Sequence, residues 1–310
     1  MSRVLNTPQI VAPETLERVQ DAIKQTGYVP NLMAGGLASN RSRLVAAIVP
    51  NIARSIFNET VESMTVALAE ANYQVMLSLS GGGDERMESV VESILARRPE
   101  AIIVTGNLRE GELKRRIVGT GATVIETWDL PAEPIDVAVG FSHTEVGKAV
   151  AEALHASGRR RPLVLSTNTP RALAREQGFR AAMAARGIVT ASAASFPVPT
   201  SLAQGREAFA AACAADAPPD CVFCSSDWQA HGVLIEAQKR GFKTPEDVAV
   251  FGFGDLEFAD STEPALSTVR IDGAQIGRIA AKILIDRAAG RALERAVFDV
   301  GFELVRRGSA

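Results

Sequence analysis

Short apolar runs alternate with amphipathic segments along most of the chain from Leu44 onward. Leu44–Val49 and Ala101–Val104 are uninterrupted apolar runs, as expected of strands that are covered on both faces of a sheet. Between these runs, Val61, Met64 and Leu68 recur at the spacing of a helix face. Alternation of strands and helices predicts parallel sheets that are joined by right-handed crossovers.

The same alternation continues through the middle of the chain, to a strand predicted near Ser195–Val198 and beyond. About nine strands divide into two sets of four or five, which favours two doubly wound lobes over one large sheet. A helix over Ile276–Ala288 and a last pair of strands at 297–300 and 303–306 then follow. These late elements predict that the chain crosses between the lobes more than once. Because ligands of open α/β sheets bind beyond the carboxyl ends of the strands, a hinged cleft between the lobes is the predicted binding site.

The first 43 residues follow a different pattern. Pro13 begins a predicted helix that Gly27 ends, and Ala12 occupies its N-cap position. A second, short helix over Leu32–Ser39 contains two glycines and should not be stable alone. Such a segment is a candidate for folding on contact with a partner.

The composition is that of a globular protein, with 46% hydrophobic and 22% charged residues and a formal net charge of −3. This charge argues against nucleic-acid binding over the whole surface but leaves room for a local basic arm. No apolar run approaches the roughly 20 residues needed to cross a bilayer, and the first residues lack the apolar segment of a signal peptide. We therefore expect a cytoplasmic protein with no membrane partner.

Cysteine and histidine residues give no sign of a metal or redox centre. Cys221 and Cys224 form a C-x-x-C, but they lie on a predicted buried strand, where residues three apart face opposite sides. The histidines, His143, His155 and His231, lack the spacing of metal ligands. No dinucleotide fingerprint, phosphate-binding loop or nucleophile elbow is present, so we expect neither an enzyme nor a cofactor.

Three runs near the N-terminus resemble parts of one known family. They are Ser2-Arg3-Val4-Leu5-Asn6, Pro13-Glu14-Thr15 and Tyr28-Val29-Pro30-Asn31. They are similar to the end of the recognition helix, the start of the third helix and the link to the hinge helix in the DNA-binding headpiece of the LacI/GalR family of transcriptional regulators. The resemblance implies DNA contacts by Ser2, Arg3, Asn6, Tyr28, Asn31 and Leu37.

Leu37 matches the family's leucine that wedges into the minor groove at the centre of the operator. Without the resemblance, packing as a linker residue would be the simpler interpretation. The chain also departs from the family, whose members carry about twenty residues before the Ser2–Asn6 run, so it lacks a complete recognition helix as given. Either the true start lies upstream of Met1, which we favour, or specific DNA binding has been lost.

The resemblance continues through the rest of the chain in Arg175–Phe179, Ser226–Asp227 and Val250–Asp255. It implies a two-lobed α/β protein, similar to the periplasmic binding proteins, behind a short helical remnant and a hinge. The implied division is a partial helix-turn-helix at 1–30, a hinge helix and linker at 31–43, and a ligand-binding and dimerisation domain at 44–310. Its N-terminal lobe comprises about 44–141 plus 255–289 and its C-terminal lobe about 142–254 plus 290–310.

Two charged residues match the family's effector-binding positions. Arg175 matches an arginine that reaches into the cleft, and its planar fork suits vicinal hydroxyls or a carboxylate. The alternative is a surface arginine, because the same helix also carries Arg171 and Arg180. Asp255 follows Gly254, where the family commonly has a first acid, and it either accepts hydrogen bonds from sugar hydroxyls or supports the site from behind.

Other candidates follow predicted strands. Trp128 is either a stacking platform for a sugar or a residue of lobe packing. Ser226 is a candidate ligand partner, whereas Asp227 can serve as a helix N-cap without any ligand. The remaining candidate effector residues are Asp129, Ser80, Thr105 and Phe57.

The runs Val250–Phe258 and Asp299–Val305 resemble gluconate-type repressors within the family. The resemblance implies a sugar acid as effector, with Arg175 or Arg171 opposite its carboxylate. It also implies a homodimer that binds operator DNA and represses a carbohydrate catabolic operon. The alternatives are a ligand sensor that lacks DNA binding and a sugar-binding protein of the transport type.

Overall fold

The computed structural model describes Val4 and residues 8–28, 42–53, 55–81, 84–106, 108, 111–192, 195–215 and 217–310. These residues divide into two compact units, Met1–Arg43 and Leu44–Ala310. In the first unit, helix α1 spans Pro13–Thr26, with Pro13 in its first turn and no side-chain cap from Ala12. Gly27 ends the helix in the left-handed conformation, at φ 60°. Both ends agree with the sequence prediction.

Most of the predicted DNA contacts lie outside the described residues. These are Ser2, Arg3, Asn6, Asn31 and Leu37, and the predicted hinge helix at 32–39 lies outside them as well. Tyr28 is described, directly after α1, and 43% of its surface is exposed. The proposed DNA contacts therefore stay predictions.

The second unit alternates strands and helices in the predicted order. In chain order the strands are β1 (Leu44–Val49), β2 (Gln74–Leu79), β3 (Ala101–Thr105), β4 (Thr123–Thr127), β5 (Val137–Gly140), β6 (Pro162–Leu165), β7 (Ala191–Ser192), β8 (Cys221–Cys224), β9 (Ala249–Phe251), β10 (Thr268–Arg270), β11 (Val297–Asp299) and β12 (Glu303–Val305). The helices are α2 (Asn58–Glu70), α3 (Asp84–Leu95), α4 (Glu112–Val118), α5 (His143–Ala156), α6 (Pro170–Ala184), α7 (Leu202–Ala212), α8 (Asp227–Lys239) and α9 (Gly273–Ala288).

Ten of the twelve strands described form two parallel sheets, which define two lobes, and β10 and β12 form a separate antiparallel pair. The first lobe has a six-stranded sheet in the order β11-β5-β4-β3-β1-β2. The second lobe has a four-stranded sheet in the order β7-β6-β8-β9. The α/β class with two parallel sheets is thus confirmed, although the sheets are less equal in size than the predicted four or five strands each.

The prediction of a strand near Ser195–Val198 is wrong. The edge strand β7 is Ala191–Ser192, and Phe196 forms only an isolated bridge to Thr167. Pro197 and Pro199 explain the difference, because proline has no N–H to donate to a strand ladder.

The last strands do not form a pair with each other, which changes the predicted lobe boundaries. β11 pairs with β5, so this part of the segment 290–310 belongs to the first lobe. β12 pairs with β10, and the carbonyl of Ser309 accepts from the Val250 N–H of the second lobe at 2.8 Å. Ala259 and Leu266 also pack in the second lobe's core, although 255–289 was assigned to the first. Three-residue strands contain too few side chains to indicate their partners in the sequence.

The two cysteines of β8 pack in different hydrophobic cores. Cys221 packs in the core that α5 and α6 cover, whereas Cys224 packs on the opposite face of the sheet. Burial raises the pKa of both thiols, which keeps them protonated. The interpretation as structural residues is confirmed for this strand.

Helices α5 and α6 cross with their backbones in contact. A Cβ on Gly147 would overlap the carbonyl oxygen of Arg175, and a Cβ on Gly178 would overlap that of Thr144. The crossing therefore requires glycine on both helices. It also brings the start of α5, at His143, next to the middle of α6, at Arg175.

Candidate functional site

A cleft of about 960 Å³ lies between the two lobes, at the carboxyl ends of their strands. First-lobe residues reach it from the segments after β1, β2, β3 and β4, and second-lobe residues reach it from those after β6, β8 and β9. All the predicted effector residues except Asp255 line this cleft: Phe57, Ser80, Thr105, Trp128, Asp129, Arg171, Arg175 and Ser226.

Arg175 is held in the cleft by contacts on several sides. Its Nη1 donates to His143 Nδ1 at 2.9 Å, and its Nη2 donates to the Ser225 carbonyl at 3.2 Å. The guanidinium lies over the Phe253 ring, with Cζ 3.8 Å from the ring centre. Its Nε is buried and has no hydrogen-bond partner in the described part of the chain. Burial lowers the pKa of Arg175 to about 9, with help from the positive charge of Arg171, so the side chain is still cationic at neutral pH.

His143 links the two lobes at the base of the cleft. Its Nε2 donates to the Trp128 carbonyl, after β4, at 2.9 Å, while its Nδ1 accepts from Arg175. Burial lowers the pKa of His143 well below its ordinary value, and the charge of Arg175 lowers it further. A neutral ring with its proton on Nε2 satisfies both contacts. Sequence analysis missed this role, although His143 follows strand β5 just as the other cleft residues follow theirs.

Arg171 is the second guanidinium in the cleft. Its Cζ lies 5.2 Å from the centre of the Phe57 ring, and its Nη1 is buried with no hydrogen-bond partner on any described residue. Burial lowers the pKa of Arg171, whereas the nearby carboxylate of Asp129 raises it. Glu88 and Glu112 also line the cleft but are exposed, so its buried part holds two guanidinium groups near the carboxylate of Asp129.

Trp128 forms part of an aromatic wall rather than an exposed platform. Only 2% of its surface is exposed, its Nε1 donates to Thr60 Oγ1 at 2.9 Å, and its ring meets Phe57 edge to face at 5.0 Å. Phe141 continues the wall behind it. These contacts favour the packing alternative, with only an edge of the ring reaching the cleft.

Hydroxyl and carboxylate groups line the first-lobe side. Ser80 is buried beneath the cleft surface, and its N–H donates to the Val49 carbonyl at 3.0 Å. Thr105 is half-buried at the end of β3. Asp129 accepts from the Leu130 N–H through Oδ1 at 2.8 Å. Together they provide several hydrogen-bonding groups opposite the two arginines.

Ser226, not Asp227, is the N-cap of α8. The Ser226 hydroxyl accepts from the Gln229 N–H at 3.3 Å, so the alternative that assigned this role to Asp227 is wrong. Asp227 is fully buried instead. Its oxygens accept from Thr268 Oγ1 at 2.6 Å and from the Leu256 N–H at 2.8 Å. The carboxylate therefore joins α8 to the segments that cross between the lobes.

Asp255 lies away from the cleft lining. Its Oδ2 accepts from Arg270 Nε at 2.6 Å, and Arg307 Nη1 lies 2.8 Å from its Oδ1. Arg270 also contacts Glu303. Oδ2 is hydrogen-bonded and Oδ1 is buried beside Arg307, although no described residue donates a hydrogen bond to Oδ1. Because the carboxylate faces these arginines and does not line the cleft, the geometry favours the supporting role over direct contact with a ligand.

Burial of Asp227 leads to a pH-dependent stability. Burial raises its pKa to about 6, although the hydrogen bonds from Thr268 and Leu256 lower it. Between about pH 4 and 6, the folded state therefore binds a proton that the unfolded state releases. We expect the free energy of unfolding to fall as pH rises through this window, by up to about 3 kcal/mol. Urea unfolding of wild type and Asp227→Asn between pH 4.5 and 7.5 tests this, because the variant should lack that part of the slope. Parallel profiles would contradict the assignment.

Among the described residues, no helix has the length and apolar character to span a bilayer. Within the same part of the chain, no cluster of His, Cys, Asp and Glu side chains is arranged to hold a metal ion.

Comparison with known proteins assigns the chain to a family. Residues 151–310 match the family model for a periplasmic binding protein-like domain. The HTH-type transcriptional regulator GntR of Pseudomonas aeruginosa is 36% identical over 310 residues, which cover 99% of this chain and 90% of that protein. GntR of Escherichia coli is 28% identical over 100% of this chain and 93% of its own.

A solved LacI-family transcriptional regulator from Silicibacter pomeroyi superposes with a TM-score of 0.91 at 29% identity, covering 99% of this chain and 94% of that one. These relatives are regulators rather than enzymes, which confirms that expectation for the chain. Descent from the same family as these relatives explains both the resemblance of the sequence runs and the two-lobed fold. The chain belongs to the LacI family of transcriptional regulators.

Proposed function

We propose that this regulator is a homodimeric repressor of a carbohydrate catabolic operon and that a sugar acid such as gluconate controls it. The effector would bind in the cleft between the lobes, and operator DNA would bind through the N-terminal segment. Support for the sugar acid comes from the two buried guanidinium groups of the cleft and from the resemblance of Val250–Phe258 and Asp299–Val305 to gluconate-type repressors.

The observation that carries the proposal is the pair of buried guanidinium groups. Arg171 Nη1 and Arg175 Nε are both buried without hydrogen-bond partners among the described residues, while the charge of Asp129 acts on both. Burying two cations costs free energy unless an anion or hydrogen-bond acceptors compensate them. A ligand carboxylate near the two arginines would provide both the negative charge and the hydrogen-bond acceptors. The hydroxyl groups of the same ligand would then face Ser80, Thr105 and Asp129.

The mechanism follows from the position of the cleft. A ligand that contacts Arg175 in the second lobe and Thr105 in the first binds the closed arrangement of the lobes more tightly than the open one. It therefore shifts the population toward closure, by no more than its difference in affinity for the two states. The interlobe contact of His143 with the Trp128 carbonyl is one of the bonds that closure has to preserve.

Thermal unfolding with added ligands tests the proposal. We expect gluconate or 6-phosphogluconate to raise the Tm, whereas glucose and other neutral sugars at equal concentration should not. Gel-shift titration with DNA from upstream of the protein's own gene should then change with the same acid. A response to neutral sugars alone would contradict the sugar acid. A ligand response without any DNA binding would instead support the sensor alternative.

A further inference from the structure

Arg171 extends across the cleft from the second lobe to the first. It lies in the first turn of α6, yet its guanidinium stands beside Phe57 and Gly106, which follow β1 and β3. A Cβ on Gly106 would lie 3.3 Å from Arg171 Nη1. Gly106 also has a φ of +102°, which L side chains rarely adopt. Glycine at this position therefore leaves the space into which the guanidinium fits.

The two arginines differ in what they already bind. Both Nη atoms of Arg175 donate to protein acceptors, one on His143 and one on Ser225. Arg175 keeps one buried donor without an acceptor, its Nε, whereas Arg171 makes no hydrogen bond to any described residue. Its Nη1 is buried, and its ring contact with Phe57 provides no acceptor. A buried charged donor without an acceptor is destabilising, so this N–H is the one that gains most from an incoming oxygen.

We propose that Arg171 is the residue that recognises the negative charge of the effector, while Arg175 serves mainly to join the lobes around it. The inference rests on the proposed function and assigns its charge selectivity to one side chain. The ligand class is a polyol with an anionic end group, and this group would lie against Arg171 Nη1. Removing Arg171 should then abolish the preference for an acid without abolishing polyol binding.

Calorimetric titration with matched ligands tests this division. Gluconate and glucitol share a six-carbon polyol chain and differ in a carboxylate at one end, and glucitol 6-phosphate carries a phosphate instead. We expect wild type to prefer gluconate over glucitol by about 30-fold and Arg171→Gln to reduce this ratio to about one, with glucitol affinity unchanged. Arg180→Gln removes the same charge from the same helix outside the cleft lining, and it should keep the wild-type ratio.

The outcomes separate this inference from the proposed function. If wild type shows no preference for either anion, the sugar-acid function fails and the inference fails with it. A preference for glucitol 6-phosphate that Arg171→Gln abolishes overturns the sugar acid but supports the role of Arg171. If wild type prefers gluconate and Arg171→Gln keeps that preference, the inference alone is overturned. Arg171→Lys, which retains the charge, provides a second variant and should keep part of the preference if Arg171→Gln does not fold.

Discussion

Replacing Arg175 with alanine is expected to weaken gluconate binding by about 100-fold or more. The change removes a cation from the cleft and also deprives His143 Nδ1 and the Ser225 carbonyl of their donor. Removing this buried, hydrogen-bonded charge costs more binding free energy than removing one ligand contact, because the groups that Arg175 bonded stay buried and unpaired. Calorimetric titration of gluconate measures the effect. In contrast to Arg171→Gln, this variant should weaken glucitol binding as well.

A pair of His143 variants provides the control for the Arg175 prediction. In His143→Asn, Oδ1 can replace Nδ1 as the acceptor for Arg175, whereas the contact with the Trp128 carbonyl is lost. In His143→Gln, the amide reaches the position of Nε2, so the Arg175 contact is the one lost. We expect His143→Asn to keep more gluconate affinity than His143→Gln. If Arg175→Ala binds gluconate as tightly as wild type, Arg175 takes no part in effector binding.

Replacing Gly147 with valine is expected to lower the free energy of unfolding by more than about 4 kcal/mol. Any side chain at this position meets the backbone carbonyl of Arg175, which cannot move away without shifting α6. Because interiors are close-packed, the helices must separate along their whole contact. Urea unfolding at pH 7 measures the loss, and gluconate affinity should fall in the same variant because Arg175 moves with α6.

Lys148→Val provides the matched control on the same helix. Lys148 is exposed and makes only a surface ion pair with Glu145 at 3.3 Å. The valine therefore has the same low helix propensity there without the steric overlap, and the expected loss is below about 1 kcal/mol. Gly147→Val raises helix propensity whereas Lys148→Val lowers it, so propensity does not predict a larger loss at Gly147. If Gly147→Val loses no more stability than Lys148→Val, the close crossing of α5 and α6 does not constrain this position.

The strand–helix alternation predicted the cleft because local patterns determine which segments are strands. Thr105 ends a strand of the first sheet, and Phe57, Ser80 and Trp128 come after other strands of that sheet. These residues therefore had to meet at its carboxyl edge. Asp255 follows a strand as well but turns away to Arg270 and Arg307. Those arginines come from segments whose partners are selected by tertiary pairing, and no spacing in the sequence indicates them.

Patterns of a few neighbouring residues in the sequence determined the α/β class, the two parallel sheets and the ends of α1. They also placed Cys221 and Cys224 on opposite faces of their strand. Hydrophobic period and capping chemistry act over a few residues, so they can be read directly from the sequence. Tertiary structure alone decided that β11 completes the first sheet, that His143 lies between Arg175 and the Trp128 carbonyl, and that Arg171 reaches Gly106. These contacts join residues that are far apart in the chain, and their energies depend on burial and geometry that exist only after both lobes have packed.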